Sequence, residues 1–265
     1  MDKKTVSELI ETLPKKSRYD INDLVDLVCV LRSEDGCPWD KVQTHKSIKS
    51  DFLEEVYEVL EGIDKDDPEI LREELGDVLL QVVFHVVIEQ EQEHFQLGDV
   101  ITDLCSKLII RHPHVFGEVQ ADNVDTVLSN WDSIKKQTKG QESFTDTLES
   151  VPKNFPALMR AQKLSKRASR AGIDFETDKD GGETELFEAI RSQLDKVRAA
   201  SANKEDASVQ MGSLLMLCAG LARKLDCDAE TVLADSCNEL VERFKELEEK
   251  RDDLSACGAQ ELYSY

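Results

Sequence analysis

Residues 51–84 read DFLEEVYEVLEGIDKDDPEILREELGDVLLQVVF. Phe52, Leu53, Val56, Val59, Leu60 and Ile63 recur at the spacing of one helical face, and so do Leu71, Leu75, Val78, Leu79, Val82 and Val86. Between the two stripes lies Asp64–Asp67, followed by Pro68. Asp before Pro is a start signal: the Asp side chain caps free backbone N–H groups, and proline at the first helical position loses no hydrogen bond. The spacing predicts helices over 48–63 and 68–94, folded back on each other as an antiparallel hairpin. Val86, Val87 and Ile88 are β-branched, but the length of the segment decides for helix.

Working outward, helical patterns cover 21–32, 99–111 and 123–137, and then 156–171, 183–200, 204–225 and 228–250. With 12 Gly and 6 Pro in 265 residues, a turn-rich β architecture is disfavoured, and the expected fold is all-α. Polar residues 138–155 read as a linker between a first unit (1–137) and a second (156–265). Glu74–Leu80 (ELGDVLL) lines up with Gln210–Leu215 (QMGSLL), each between helical segments, which predicts a duplicated helical unit with a period of about 135 residues.

The 33 basic and 55 acidic residues give a net charge of -22, which repels nucleic-acid backbones and anionic membranes alike. No apolar run is long enough to span a bilayer, and MDKKTVSELIETLPKK lacks a secretory h-region, so a cytoplasmic location is expected. Seven cysteines without CxxC spacing read as reduced thiols. His112 and His114 are the one close histidine pair along the chain, and Pro113 between them argues against a shared helical face. Trp131 reads as a core or interface residue.

Stretch 51–77 holds twelve acids and two bases. Most acid-rich helices are merely solvated, but angle arithmetic separates these acids. At about 100° per residue, Glu55 and Glu58 fall to one side of the first stripe, and Glu74 and Asp77 fall at the same two angles beside the second. Antiparallel pairing brings same-signed edges together, so the ExxE and ExxD pairs converge along one seam. Four such carboxylates repel one another unless protonated or bridged by cations. Oxygen-only ligands favour a hard ion, Mg²⁺ or Mn²⁺. A di-iron bundle would want Glu-x-x-His at this seam, but Glu74 is followed three residues later by Asp77.

EEVYE (54–58) followed by EELGD (73–77) resembles the EExxE…ExxD signature of the MazG-type all-α nucleotide pyrophosphohydrolases, and GCPWDKVQTH (36–45) and KLIIRHPHVFG (107–117) resemble that family's flanking motifs. The resemblance covers roughly residues 20–170 and continues weakly to about 250. It implies a four-helix unit that dimerises, here in tandem, with Glu55, Glu58, Glu74 and Asp77 coordinating Mg²⁺. The implied reaction splits the α–β phosphoanhydride of a nucleoside triphosphate into monophosphate and pyrophosphate. In the second unit the aligned positions are Ala189, Ser192, Gln210 and Ser213, with Leu240 against Lys107. A unit without those acids cannot hold a hard dication in this way, and is expected to be structural or dimerising.

Chemistry on a triphosphate needs further cations. Lys107 and Arg111 lie four residues apart on one helical face and are candidate phosphate ligands, the competing reading being a solvated C-terminal turn suited to the helix dipole. Trp39 is a candidate to stack on a base, or else pins its loop to the core. The expected nucleophile is a water molecule activated by the metal, with Glu54 the nearest candidate base. Two alternatives share this frame: a dUTP- or phosphoribosyl-ATP-type pyrophosphohydrolase, and a non-catalytic helical regulator that binds a nucleotide or a partner.

Overall fold

A computed structural model describes residues 5–117, 143–175, 184–251 and 258; helix 123–137 and Trp131 lie outside the described residues. The described residues are all-α, and the chain forms two compact units, Met1–Ile134 and Lys135–Tyr265.

In the first unit the elements are α1 (Val6–Thr12), α2 (Ile21–Arg32), α3 (Pro38–Lys41), α4 (Lys49–Asp64), α5 (Pro68–Glu91), α6 (Leu97–Arg111) and α7 (Pro113–Phe116). Local chemistry sets most of the boundaries. Asp20 caps α2 through the N–H groups of Asn22 and Asp23, with Asp23 returning the favour to the Asp20 N–H. Asp67 accepts from Glu69 N–H and Ile70 N–H, and Pro68 opens α5, as the Asp-Pro pair predicts. The turn between α4 and α5 is closed by Asp67 N–H donating to Gly62 C=O at 3.1 Å, with Asp66 at φ +50°, a conformation Asp tolerates better than most residues. Helix α1 was not expected, although Thr5 and Glu8 form its capping box.

The apolar stripes are where sequence and structure part. In this chain Leu53, Val56, Leu60 and Ile63 on α4 and Leu75 and Leu79 on α5 are exposed. The core sits farther along α5, where Val83, Phe84, Val87 and Ile88 pack with Val28 of α2 and with Ile48 ahead of α4. The reason is supply of partners. The buried residues of α5 all lie in its second half, where Val28 of α2 packs with Val83, Phe84, Val87 and Ile88, and among the described residues none in the acid-bearing half is buried.

The loop from α2 to α4 is fastened to this core by Arg32, whose side chain is only 5% exposed. It donates to both Glu91 carboxylate oxygens at 2.8 Å and to the Asp40 and Gln43 carbonyls, and lies over the Phe84 ring. Gly36 lets that loop touch the end of α2: a Cβ there would come within 2.2 Å of the Val30 carbonyl oxygen.

The second unit comprises α8 (Phe144–Glu149), α9 (Ala157–Arg170), α10 (Thr184–Ala202), α11 (Ser208–Lys224) and α12 (Ala229–Lys250). Helix α8 falls within the stretch read as a linker; Ser143 and Asp146 form its capping box, and Arg167 of α9 holds its end through Thr147 C=O and Ser150. Helices α9, α11 and α12 pack closely on Ala161, Ala219 and Ala229. Helices α10 and α11 form a hairpin-like pair, with the Gln193 amide donating to Gln210 C=O at 3.0 Å.

Candidate metal centre

Helices α4 and α5 lie close where they leave their turn. Gly62 is buried there, and a Cβ on it would sit 3.0 Å from the Leu71 nitrogen. That approach places Glu58, one turn before Gly62, opposite Glu74, one turn after Leu71. One carboxylate oxygen from each of Glu55, Glu58 and Glu74 lies within 4.8 Å of the others. Among the described residues no other set of three acids, histidines or cysteines comes so close.

Burial first, then the negative charge of Asp77, Glu58 and Glu74, holds the Glu55 carboxyl above the usual carboxylate range. The Glu74 carboxyl is raised by desolvation and by Glu58, Glu73 and Asp77. Asp77 thus lies close enough to act on both, one helical turn beyond Glu74. Like charges gathered without a counter-ion are costly. A hard dication would neutralise them and accept exactly such oxygen donors, so the residues present fit Mg²⁺ or Mn²⁺.

Glu54 is exposed beside Glu55, outside the converging trio. Lys107 is exposed on α6, on the rim of a small groove with Phe95, Asp99 and Asp103. Arg111, at the end of the same helix, is buried to 9% exposure. Trp39 is 60% exposed on α3, so it does not pin its loop to the core; Arg32 does that. His112 ends α6 and His114 lies in α7, their rings 5.6 Å apart, with Pro113 starting a separate helix. In the second unit Ser213 spends its hydroxyl on Val209 C=O at 3.0 Å. Six described cysteines are free thiols.

Sequence reasoning missed a second polar cluster in the first unit. His45 and His85 stack with ring centroids 5.0 Å apart and face each other through Nδ1 at 2.7 Å. Glu89 accepts from His45 Nε2 at 2.5 Å and from His94 Nδ1 at 2.6 Å. One signal was present: Gln81, His85 and Glu89 follow at four-residue spacing on the helix that carries Glu74 and Asp77.

Residues 43–116 match the MazG nucleotide pyrophosphohydrolase domain. A nucleoside triphosphate pyrophosphohydrolase of Escherichia coli K12 is 38% identical over 234 residues, 86% of this chain and 87% of its own length. The nucleoside triphosphate pyrophosphohydrolase/pyrophosphatase MazG of Thermotoga maritima is 40% identical over 227 residues, 86% and 85% of the two chains. An uncharacterized Bacillus subtilis protein, YabN, is 45% identical over 148 residues, 56% of this chain and 30% of its own.

Proposed function

The chain belongs to the MazG nucleotide pyrophosphohydrolase family, and from that premise we propose that it hydrolyses nucleoside triphosphates between the α and β phosphates with the help of a divalent cation. The convergence of Glu55, Glu58 and Glu74 within 4.8 Å is the observation that carries the reading. Together with Asp77 they would hold Mg²⁺ or Mn²⁺, which when bound supplies charge for the phosphate oxygens and lowers the pKa of water. The chain's own part is to fix that geometry. Two rigid helices set the carboxylates, and Gly62 sets the distance between the helices. Glu54, exposed beside the trio, is the base candidate for the attacking water. Lys107 and Arg111 remain candidate phosphate ligands, one exposed and one buried on α6, and Trp39 a candidate to stack on a base.

The exposed stripe on α4 and α5 supports a homodimer. Leu53, Leu60, Ile63, Leu75 and Leu79 are large apolar side chains left exposed at helical spacing on two paired helices, and a second copy would cover them. With its aligned acids replaced by Ala189, Ser192, Gln210 and Ser213, the second unit is a structural copy in this reading. No described helix is long and apolar enough to cross a membrane. The net charge of -22 disfavours nucleic acid as a partner and agrees with a cytoplasmic site of action.

The test is product identity. Purified protein with a nucleoside triphosphate and Mg²⁺ should release monophosphate and pyrophosphate, and chelation should stop it. Orthophosphate and nucleoside diphosphate as first products would place cleavage at the γ position and refute the assignment.

A further inference from the structure

The second unit differs from the first in more than its missing acids. Continued from Asp77 and Ser213 without a gap, the alignment of the two units sets Phe84 against Gly220 and Val87 against Arg223. In the first unit Phe84 and Val87 belong to the core, 6% and 1% exposed. A copy kept only for packing gains nothing from glycine and arginine there, because an emptied core loses contacts and stability. In the second unit a cavity of about 570 Å³ opens beside Gly220, within the size range of small-molecule sites. Among the described residues, a Cβ on Gly220 would meet only the Ser165 hydroxyl, at 3.4 Å.

The walls of this cavity are fastened in place. Past the end of α9, Gly172 at φ +82° turns the chain, and Ile173 N–H closes on Ala168 C=O at 3.0 Å. Residues 173–175 then form one wall, held by two cations of α11. Arg223 Nη2 donates to both Asp174 oxygens at 2.7 Å, and Lys224 Nζ donates to Phe175 C=O at 2.7 Å. Ala168, Phe175, Leu186, Met216 and Leu217 supply apolar surface. Ser165 supplies the polar floor. Its oxygen accepts from Arg223 Nε at 3.0 Å, while its own proton is spent on no described residue. A hydroxyl so placed turns its O–H toward whatever acceptor arrives. Among the charged residues lining the cavity, Asp174 and Glu185 outnumber Arg223, so an anion is disfavoured.

We infer that this cavity is a ligand site of the second unit, and that it takes a small uncharged aromatic molecule whose carbonyl oxygen accepts from the Ser165 hydroxyl. The ligand's ring stands in for the phenyl group that the first unit carries at the aligned position. Nothing in the acid seam is needed for binding, so the site is tested without turnover.

Benzamide, toluene and benzoate are suitable probes, followed by NMR of isotope-labelled, metal-free, full-length protein. Benzamide at millimolar concentration should shift the Gly220 amide and Arg223 Nε–H signals, and benzoate should bind more weakly than benzamide. Ser165→Ala should weaken benzamide about fivefold, the worth of one hydrogen bond near 1 kcal/mol, and change toluene by less than about twofold. Gly220→Phe restores the ring of the first unit and should abolish the benzamide shifts. Absence of those shifts in the wild type overturns the inference, as does benzoate binding as tightly as benzamide. Undiminished benzamide binding to a folded Gly220→Phe protein also overturns it. If that variant does not fold, Ser165→Ala decides: no loss for benzamide, or an equal loss for toluene, counts against the site.

Discussion

Glu55 ionises near 4.5 in an unfolded chain but holds its proton to higher pH in the metal-free fold, because burial and its acidic neighbours disfavour the charge. Through that window the folded state binds more protons than the unfolded one, so this group's contribution to stability falls as pH rises. Glu55→Gln should therefore raise the Tm of metal-free protein at neutral pH, and the gain should vanish below about pH 4, where the native carboxyl is protonated anyway. Added Mg²⁺ should reverse the sign, since Gln leaves a cation under-neutralised. Calorimetry across pH with and without Mg²⁺ checks all three parts. For catalysis, Glu58→Gln or Asp77→Asn should abolish turnover with helical circular dichroism intact. Retention of more than about a tenth of the rate, less than ~1.4 kcal/mol of barrier, would argue against either residue as a ligand.

At the scale of elements, the α4–α5 hairpin depends on one missing methyl group. Ala is a better helix former than Gly by about 1 kcal/mol, but a Cβ at Gly62 would press on the Leu71 backbone, and a helix backbone gives only by moving the helix. Overpacking of this kind costs about 1–3 kcal/mol, so Gly62→Ala should lose stability on balance in a urea titration. The same displacement should weaken Mn²⁺ binding, because Glu58 and Glu74 flank the contact. The Arg32 clamp is the other element-scale device. Arg32→Gln should cost about 3 kcal/mol in the same titration, since two loop carbonyls and Glu91 lose a buried, charged donor.

Much of this scale was legible in the sequence. The Asp67-Pro68 start, the hairpin and the convergence of Glu55, Glu58 and Glu74 all follow from spacing and handedness, which are local. The His45–His85 pair was not legible, because its members are 40 residues apart and meet only through a loop that Arg32 positions. Nor was the exposure of Leu53 and Leu60, because a stripe announces that it will be covered and not by what.

For the whole molecule, the exposed stripe predicts that sedimentation analysis of the full chain will give twice the mass of one chain, and that Leu53→Asp with Leu60→Asp will shift it to one. The two compact units carry different chemistry in this account. The first gathers the acids, while in the second the aligned positions hold Ala189, Ser192, Gln210 and Ser213. The most direct test neutralises Glu55, Glu58, Glu74 and Asp77 together in the full-length chain, as Gln and Asn, and measures Mg²⁺-dependent pyrophosphate release from nucleoside triphosphates. The account predicts a folded protein with no release above background. Metal-dependent hydrolysis that survives in that variant would contradict it, and would locate the chemistry elsewhere in the chain.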